Sequence, residues 1–362
     1  MKNNNKIAIV SASLGVGGAE RFASLLGLML HNLGYEIHHI IILDFVAYDY
    51  QGKLVNLGQL FAQEKGVFRA IKKGKYIAQY LHENQIESII DIRSRPMLLR
   101  EIFTKWIYGN RKTYFMIHSS DIEMYLPKSI FWAKYLYEKA TRLVFVSNEI
   151  EQKVKAKYGF SNTTTIYNPV VFSETIFEKP KDIPDNYFIF FGRLEDKIKN
   201  LSLLIEAYEM SKLQEKKISL LLVGDGSDKE AILNKIKSKN LSDFIKVLPF
   251  QKDIIPYVQN AKATVLSSYF EGFPMSLVES LAVGTPVISV DCETGPREIV
   301  QNKGNGLLVE NHNPKALAEA MTLMIADENL HQNCKNNAQK SVEHLSLTTI
   351  AQQWQNLLKA ND

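Results

Sequence analysis

The amino-acid sequence predicts an α/β protein with two domains, each built around a parallel sheet. The chain has 362 residues, whereas single hydrophobic cores rarely grow beyond roughly 250–300 residues. Short β-branched apolar runs alternate with segments of helical periodicity, which is the pattern of βαβ units with right-handed crossovers. The alternation is interrupted once, by Asn168-Pro169 and the charged, Pro-containing segment 170–186.

The predicted elements form two series, so we place the domains at 1–168 and 187–345, with a linker at 169–186 and a last helix within 346–362. The first helix is predicted to end at Gly34, a residue type common just after a helix. The first series has strands at 6–11, 36–43, 88–91, 113–117 and 143–146 and helical segments that include 19–33, 76–81 and 131–140. The second has strands at 187–191, 219–223, 245–248, 263–266 and 286–290 and helices at 201–211, 229–239 and 314–326, and the last helix is predicted at 347–359.

Composition excludes several classes of protein. At 46% hydrophobic and 23% charged residues, the chain resembles an ordinary soluble protein. No apolar run reaches the roughly 18 residues that span a bilayer, and the short apolar stretch at the N-terminus does not fit a signal peptide. We therefore expect a cytoplasmic protein. Cys292 and Cys334 are too few for a disulfide framework or a cysteine zinc site.

Charge is unevenly distributed along the chain. Residues 1–168 carry 22 Lys and Arg against 14 Asp and Glu, whereas the remainder carries 21 against 25. A basic N-terminal half predicts an anionic partner there, such as a membrane surface, a lipid diphosphate or nucleic acid. No nucleic-acid-binding motif accompanies the basic residues, so we expect no nucleic-acid partner.

Aromatic residues are interleaved with the basic residues of the first domain. This combination favours peripheral contact with an anionic leaflet. A solvated helical face with core-facing aromatics stays open as the alternative. The residues concerned are Lys72, Lys73, Lys75, Arg93, Arg95, Arg100, Phe103, Lys105, Trp106, Tyr108, Arg111 and Lys112.

Residues 269–290, YFEGFPMSLVESLAVGTPVISV, contain two glutamates eight positions apart. If a helix begins near Met275, its first turn presents free N–H groups and the positive end of its dipole to an anion. Glu271 precedes the turn made by Gly272 and Pro274, and Glu279 lies one turn inside the helix. Two carboxylates beside a backbone anion site suit a diphosphate flanked by two sugars, as in a nucleotide sugar.

Glycines join the first strand to the first helix in the sequence GVGGAER. Gly15, Gly17 and Gly18 let the backbone approach a phosphate at the helix N-terminus. A dinucleotide fingerprint would place glycine where Glu20 stands, and Asp44 after the second strand is followed by an aromatic loop. We therefore expect no nicotinamide cofactor.

Two cations stand six positions apart across a loop of the second domain. Arg193 follows the strand that ends at Gly192, and Lys199 opens the next helix. A leaving nucleoside diphosphate gains about two negative charges as its glycosidic bond breaks, and fixed cations bind that transition state better than the ground state. Lys197 is the alternative to Lys199.

Other candidates follow predicted strands. His118 ends a strand of the first domain, with Ser119, Ser120 and Asp121 as possible helpers, although a structural role for this histidine stays open. Asp225, between Gly224 and Gly226, either caps the next helix or touches a ligand. Arg297, in the sequence TGPREIV, faces either ligand or water.

The motifs EGFPMSLVES with GTPVI, GGAER, GRL followed by KN, GDG and GPREIV resemble those of glycosyltransferase family 4, whose members are retaining enzymes of GT-B fold. The resemblance covers nearly the whole chain and is most specific in its C-terminal part. It implies two Rossmann-like domains with parallel sheets facing a central cleft. It also implies that the last helix crosses back to pack on the N-terminal domain, and that the domains close around the donor.

The resemblance further implies a bacterial hexosyl- or N-acetylhexosaminyltransferase. Such an enzyme moves a sugar from a UDP-sugar to a lipid-linked or cell-surface glycan of lipopolysaccharide or capsule, working peripherally at the cytoplasmic face of the inner membrane. The implied catalytic residues are His118, Arg193, Lys199 and Glu271. The implied donor-binding residues are Gly15, Gly17, Gly18, Gly192, Phe250, Gly272, Phe273, Pro274, Met275, Ser276 and Glu279, and those on the acceptor side are Glu20, Arg21 and Arg297.

In this family the departing phosphate takes the acceptor's proton, so we name no general base. The sequence contains no D-x-D triplet, HExxH motif or Cys/His cluster, and we expect neither a metal nor a cofactor. Three alternatives stay open: a transferase to a soluble sugar or protein glycan, a non-catalytic nucleotide-sugar-binding protein, and a sugar-nucleotide epimerase.

Overall fold

The structure is a computed structural model that describes residues 5–15, 17–173, 175–181 and 183–360. Val16 of the predicted glycine turn and positions 174 and 182 of the predicted linker lie outside the described residues. The chain divides into two compact units: the first comprises Met1–Pro169 and Leu347–Asp362, and the second comprises Val170–Ser346.

The first unit is built on a seven-stranded parallel sheet in the order β3-β2-β1-β4-β5-β6-β7. Its strands are β1 (Lys6–Ser11), β2 (Glu36–Ile41), β3 (Lys53–Asn56), β4 (Ser88–Asp91), β5 (Lys112–Ile117), β6 (Arg142–Phe145) and β7 (Thr163–Thr165). Its helices up to β7 are α1 (Gly18–Asn32), α2 (Leu57–Leu60), α3 (Gly66–Glu83), α4 (Leu98–Tyr108), α5 (Ile130–Tyr137) and α6 (Asn148–Tyr158).

The direction of strand addition reverses after β3. Because parallel crossovers are right-handed, this reversal places α1 on one face of the sheet and α3, α4 and α5 on the other. The interior strand β1 is in register with both neighbours, Ile9 opposite His39 of β2 and Ile90 of β4. These residues are fully buried, as expected for a sheet covered on both faces.

The second unit is built on a six-stranded parallel sheet in the order β10-β9-β8-β11-β12-β13. Its strands are β8 (Tyr187–Phe191), β9 (Ser219–Val223), β10 (Ile245–Leu248), β11 (Ala263–Leu266), β12 (Val287–Asp291) and β13 (Gly306–Glu310). Its helices are α7 (Asp196–Lys199), α8 (Leu201–Ser211), α9 (Lys229–Ser238), α10 (Ile255–Gln259), α11 (Met275–Ala282), α12 (Pro296–Ile299), α13 (Pro314–Ala326) and α14 (Glu328–Ser341).

The last helix, α15 (Leu347–Lys359), belongs to the first unit and packs against α1. Trp354 of α15 is fully buried, and its ring lies 6.4 Å from that of Phe22 on α1. The buried side chains of α15, which are Ile350, Ala351, Trp354 and Leu358, therefore belong to the core of the first unit.

Three basic residues predicted to lie on a membrane-facing or solvated surface are buried instead, so both predictions were wrong for them: Lys73, Arg93 and Arg95. Tyr108 is buried too, as the alternative with core-facing aromatic residues predicted. For the two arginines and Tyr108 the reason is Asp91, which ends β4 inside the protein and requires compensation. Arg93 forms a bidentate ion pair with the Asp91 carboxylate, with Nε 3.0 Å from Oδ1 and Nη2 2.5 Å from Oδ2. The Tyr108 hydroxyl also donates to Oδ2 of Asp91, at 2.9 Å. Lys73 donates to the carbonyl of Ile42 at 2.6 Å.

Among the helices of the described residues, none combines the length and apolar character needed to span a bilayer.

Candidate active site

The segment before α11 adopts the turn and helix that its sequence predicts. Gly272, Phe273 and Pro274 are buried, Met275 and Ser276 are half-buried, and α11 begins at Met275. The N–H groups of Leu277 and Val278 donate to the carbonyl of Pro274 at 3.0 and 3.4 Å. The N–H groups of Met275 and Ser276 precede these bonds, at a helix end where an anion is favoured.

Lys199 and Glu271 form an ion pair at the carboxyl edge of the second unit's sheet. Nζ of Lys199 lies 2.7 Å from Oε1 of Glu271, and only 18% and 11% of the two side chains are exposed. The Ser268 hydroxyl donates to the same carboxylate oxygen at 2.6 Å. The pair thus joins the end of α7 to the residues that follow β11.

Backbone bonds fix the two segments that carry this pair. The N–H of Tyr269 donates to the carbonyl of Ile198 at 2.9 Å, and the Ser267 hydroxyl donates to the carbonyl of Lys199 at 2.9 Å. Lys197, the alternative to Lys199, is exposed on the short helix α7. The geometry therefore places Lys199, and not Lys197, against Glu271.

The TGPRE loop packs on the turn that contains Glu271. The Thr294 hydroxyl donates to the carbonyl of Glu271 at 2.5 Å, and the N–H of Glu271 donates to the carbonyl of Glu293 at 3.3 Å. Gly295 has φ of 94°, and a Cβ there would lie 2.6 Å from Cδ of Pro274. Only glycine fits this position, so the two motifs are held together by their backbones.

Arg193 and Arg297 lie on the surface of the second unit. Arg193 is 61% exposed and its Nη1 lies 3.4 Å from Oε1 of Glu195. Arg297 contacts both carboxylate oxygens of Asp291, at 2.9 and 2.7 Å, and is 57% exposed. Neither arginine is brought into the Lys199–Glu271 pair, and Glu279 is half-buried on α11.

Gly192 and Gly224 allow two strand ends to meet. A Cβ on Gly224, whose φ is 152°, would lie 1.9 Å from the carbonyl oxygen of Gly192. Asp225 caps no helix, since the N-cap of α9 is Asp228. Its side chain accepts from the N–H of Phe250 at 2.9 Å and contacts Lys229 at 2.6 Å, so it anchors the loop that carries Phe250.

Two residues near the pair were not predicted as parts of the site. The Ser268 hydroxyl donates to Glu271. The sequence feature that could have identified Ser268 is its position just after an apolar strand. Cys292 is buried after β12, and burial, with Glu271 nearby, raises the pKa of its thiol. The protonated thiol of Cys292 is therefore a small apolar side chain beside the Lys199–Glu271 pair.

In the first unit, the glycine turn packs against the segment that follows β2. The N–H of Leu14 donates to the carbonyl of Phe45 at 3.0 Å, and a Cβ on Gly15 would lie 2.1 Å from Cδ1 of Phe45. Asp44 accepts from the side-chain amide of Asn56 at 2.6 Å.

Glu20 folds back over the glycine turn. A Cβ on Gly17 would lie 2.2 Å from Oε2 of Glu20, so the carboxylate needs glycine at that position. Gly18 opens α1 and is exposed, and Arg21 is half-buried. Glu20 therefore lies at the N-terminus of α1, where the helix dipole favours a carboxylate.

His118 follows β5 and is half-buried, with its Nε2 enclosed. Its ring packs edge-on against Phe22 of α1, 5.2 Å between centroids. Burial, together with the charge of Arg95, lowers the pKa of His118 to about 3, so the imidazole is neutral at physiological pH. Ser120 is buried, while Asp121 is exposed and its N–H donates to the Ser119 hydroxyl at 3.2 Å.

Arg95 fixes the loops on either side of His118. Its fully buried guanidinium donates to the carbonyls of Arg93 and Met116 at 2.8 and 2.9 Å, and its N–H donates to the carbonyl of Met124 at 2.6 Å. Three rings surround the guanidinium at 5.1–5.7 Å: Phe115, Tyr125 and Tyr137. Sequence alone gave no signal for this role, because one arginine among several basic residues predicts a surface position.

Two family models together cover most of the chain. Residues 16–174 match the description "Glycosyltransferase Family 4", and residues 171–341 match "Glycosyl transferases group 1". The chain therefore consists of one domain from each of these two glycosyltransferase families. The resemblance drawn from its motifs is therefore confirmed.

Similar proteins act on bacterial glycans. The chain is 27% identical over 363 residues to the Campylobacter jejuni N-acetylgalactosamine-N,N'-diacetylbacillosaminyl-diphospho-undecaprenol 4-alpha-N-acetylgalactosaminyltransferase, an alignment that covers 96% of this chain and 97% of that one. It is 23% identical over 346 residues to the amylovoran biosynthesis glycosyltransferase AmsD of Erwinia amylovora, covering 94% and 96% of the two chains.

Among solved structures, a mutant of S. aureus TarM in complex with fondaparinux, alpha-GlcNAc-glycerol and UDP has a TM-score of 0.78 at 16% identity, covering 97% of this chain and 99% of that one. Anabaena HepE in complex with UDP-glucose has a TM-score of 0.77 at 19% identity, covering 98% and 99%. These likenesses confirm the predicted α/β fold of GT-B type.

Proposed function

We propose that this glycosyltransferase moves a hexose or N-acetylhexosamine from a UDP-sugar to a lipid-linked or cell-surface glycan, with retention of anomeric configuration. The observation that carries the proposal is the Lys199–Glu271 pair beside the N-terminus of α11. Within one unit, a cation and the N–H groups of a helix N-terminus are available for the phosphates of a sugar diphosphate, and a carboxylate is available for its sugar hydroxyls. Solved structures with UDP or UDP-glucose support the choice of nucleotide.

Glu271 is proposed to bind hydroxyls of the donor sugar. Both of its contacts, from Lys199 and from Ser268, reach Oε1. Oε2 is then placed to accept from a ligand hydroxyl, while the two donors hold the carboxylate in one orientation. Glu279, one turn into α11, is proposed to bind the ribose hydroxyls.

Lys199 and Arg193 are proposed to neutralise the leaving diphosphate. Charge develops on the leaving group only as the glycosidic bond breaks, so fixed cations lower the barrier more than they strengthen ground-state binding. The departing phosphate is proposed to accept the acceptor's proton on the same face of the sugar. His118, neutral and packed on Phe22, is assigned to the donor sugar as a hydrogen-bonding group rather than as a charged acid.

The acceptor is proposed to be a polyprenyl-diphosphate-linked or other lipid-linked glycan. The named activity of the Campylobacter jejuni relative, on an undecaprenol-linked saccharide, supports this substrate class. The basic first half of the chain supports it as well, because such an acceptor carries a diphosphate at an anionic leaflet. We propose that the protein works at the cytoplasmic face of that membrane, and Glu20, Arg21 and Arg297 are assigned to the acceptor side.

The transfer is proposed to need no metal ion. Among the described residues there is no group of three or more His, Cys, Asp or Glu side chains that would hold one. Lys199 and the N-terminus of α11 supply the positive charge that a metal would otherwise provide. Turnover in the presence of EDTA should equal turnover with added Mg²⁺ or Mn²⁺, and restoration of a lost activity by either ion would contradict this part of the proposal.

A thermal-shift panel on the full chain tests the donor site. The ligands are UDP, UDP-hexoses, UDP-N-acetylhexosamines, GDP-mannose and NAD, and the variants are Glu279→Ala and, as a control, Glu319→Ala on α13. A ligand at 100 times its Kd adds about 2.7 kcal/mol, which shifts the midpoint by several degrees. We expect one UDP-sugar to stabilise wild type and Glu319→Ala but not Glu279→Ala. A response to NAD alone would overturn the proposal.

Product analysis separates the remaining alternatives. A transferase consumes the UDP-sugar only when an acceptor is present and extends that acceptor. An epimerase releases UDP and the altered sugar with no acceptor, and a non-catalytic binding protein does neither. The Lys199–Glu271 pair favours turnover, because binding alone does not require a cation placed for the leaving group.

A further inference from the structure

Three aromatic rings connect the last helix to His118. The ring of Phe22 on α1 lies edge-on to the imidazole of His118, 5.2 Å between centroids, and 6.4 Å from the ring of Trp354 on α15. Phe22 and Trp354 are buried. All three residues belong to the first unit, although the whole second unit separates Trp354 from the other two in sequence. We name Trp354, Phe22 and His118 the ring chain.

Both ends of the ring chain carry a buried nitrogen atom that has no hydrogen-bond partner among the described residues. The two atoms are Nε1 of Trp354 and Nε2 of His118. An unpartnered buried polar atom costs free energy, and a buried indole N–H usually has an acceptor. Phenylalanine or leucine at position 354 would avoid that cost. The large indole therefore has a use in its packing, and the ring that it contacts is that of Phe22.

Phe22 is placed to transmit this packing to the functional edge of the unit. It lies one turn inside α1, which begins at Gly18, just after the carboxyl end of β1. Side chains on a helix lean toward its N-terminus, so Phe22 leans toward the edge at which His118 follows β5. Protein interiors are close-packed, and a void beside Phe22 would let its ring move away from the imidazole.

A second set of contacts holds the backbone around His118. The guanidinium of Arg95 donates to the carbonyl of Met116 at 2.9 Å, and the Tyr125 hydroxyl contacts the backbone of His118. These bonds act on the main chain, so they leave the direction of the imidazole to its own ring contacts. Phe22 supplies such a contact.

The direction of the imidazole matters for the proposed function, in which neutral His118 hydrogen-bonds to the donor sugar. A hydrogen bond weakens steeply when its donor and acceptor are misaligned. A misplacement of about 1 Å, caused by a change far from the reacting atoms, can lower a rate about 10²-fold. A side chain that orients the imidazole can therefore act on the rate without contacting substrate.

We propose that Trp354 is a positioning residue for the transfer: through Phe22, it holds the imidazole of His118 in the orientation that contacts the donor sugar. This inference rests on the proposed function of His118. It gives α15 a role in activity beyond the stability of the first unit, because the functional edge of that unit is complete only when this helix is packed on α1.

Transfer kinetics of full-chain variants test the proposal. Trp354→Leu removes the ring that contacts Phe22 and should lower kcat about tenfold, whereas Trp354→Phe, which keeps a ring, should recover most of that loss. Phe22→Leu nearly conserves apolar volume and should also lower kcat about tenfold, so it tests the same contact if Trp354→Leu does not fold.

The matched control is Leu81→Ala. Leu81 is fully buried near the end of α3, which lies on the other face of the sheet from α1. Truncating a buried leucine creates a cavity and lowers the free energy of unfolding. Leu81→Ala should therefore lose stability and keep wild-type kcat.

The titration of His118 is a readout that a merely structural role would not change. Burial is the main cause of the low pKa of His118, about 3. Loss of the ring of Phe22 or Trp354 should expose the imidazole, so the pKa of His118 should rise toward 6.5 in Phe22→Leu and Trp354→Leu. It should stay low in Leu81→Ala. NMR spectra of the imidazole protons, assigned with His118→Gln, measure these values and require no donor.

Three results would overturn the proposal. The first is an unchanged kcat and an unchanged His118 titration in both Trp354→Leu and Phe22→Leu. The second is a loss of kcat in Leu81→Ala as large as that in Trp354→Leu. The third is a rise in the pKa of His118 without any fall in kcat, which would remove this histidine from the reaction.

Failure of the proposed function would give a different result. The UDP-induced thermal shift reports the donor site of the second unit and should be the same in every variant. A wild type with neither this shift nor turnover would refute the proposed function. The titration of His118 would then still decide whether Trp354 orients the imidazole.

Discussion

Nζ of Lys199 lies 2.7 Å from Oε1 of Glu271, and this ion pair joins two motifs that are 72 positions apart in the chain. Both side chains are largely buried, so each charge depends on the other for compensation. A sugar diphosphate that binds between helix N–H groups and this pair would find its cation and its carboxylate already oriented. Such preorganisation is the main source of electrostatic catalysis.

Replacing Lys199 should slow transfer without preventing donor binding. Loss of one fixed group that stabilises a developing charge costs about 10²–10³ in kcat. We expect Lys199→Ala to lower kcat by about that factor, with a change in donor KM of less than about fivefold. The matched control is Lys197→Ala, two residues away and exposed, which should keep wild-type kinetics. A greater loss in Lys197→Ala would show that the alternative lysine serves the diphosphate.

Replacing Glu279 should act on binding. A ribose contact is equally strong in the ground and transition states, so its loss raises KM and leaves kcat nearly unchanged. We expect Glu279→Ala to raise the KM for the UDP-sugar about 10- to 100-fold. Steady-state kinetics at varied UDP-sugar concentration measure both constants. A fall in kcat at constant KM would contradict the assignment of Glu279 to the ribose hydroxyls.

The buried Arg93–Asp91 pair should dominate the stability of the first unit. Removing one partner leaves an uncompensated buried charge, which costs about 3–5 kcal/mol. We expect Arg93→Met to lower the free energy of unfolding by about that amount in urea titrations. Lys128→Met, at a lysine whose side chain is 78% exposed, should change it by less than about 0.5 kcal/mol. Equal stability of the two variants would show that the pair is compensated by solvent.

Buried histidines should make the protein less stable on mild acidification. Burial lowers the pKa of His39 to about 4, and burial with Arg95 lowers that of His118 to about 3, both from an ordinary value of 6.5. Below pH 6.5 the unfolded chain binds protons at these positions and the folded chain does not, so stability falls as pH falls. Each histidine should cost roughly 1 kcal/mol between pH 7 and 5.5.

Unfolding of His39→Gln and His118→Gln at pH 7 and 5.5 measures this contribution. Each variant should lose about that much of the pH dependence, whereas His82→Gln, at an exposed position, should keep all of it. Glu101 acts in the opposite direction, because burial raises its pKa and the folded state then holds its proton more tightly. Variants with an unchanged slope would show that the two imidazoles titrate normally.

Much of the fold could be read from local patterns. Strands such as β1, β4, β8 and β9 were predicted to the residue, because buried parallel strands are short apolar runs between turn signals. The helix α14 was missed because only Cys334 and Ala338 of its polar sequence are buried. The edge strand β3 was missed for a similar reason, since Lys53 at its start is exposed.

The candidate site was predicted only in part. Local motifs predicted Glu271, Lys199 and the start of α11 at Met275. Each of these motifs requires one residue type at one position for its chemistry. Ser268 and Cys292 were not, since their roles exist only beside Glu271. Arg93 and Arg95 were placed on the surface, because a sequence does not show that Asp91 and three aromatic rings enclose them.

The sequence by itself therefore determined the resemblance to glycosyltransferases, the two parallel-sheet units and the residues proposed to bind a sugar diphosphate. These depend on short-range periodicity and on motifs whose members are close along the chain. Only the tertiary structure decided which lysine meets Glu271, which arginines are buried and which helical faces stay exposed. Those outcomes depend on contacts between residues far apart in sequence, where burial selects the partner that compensates a charge.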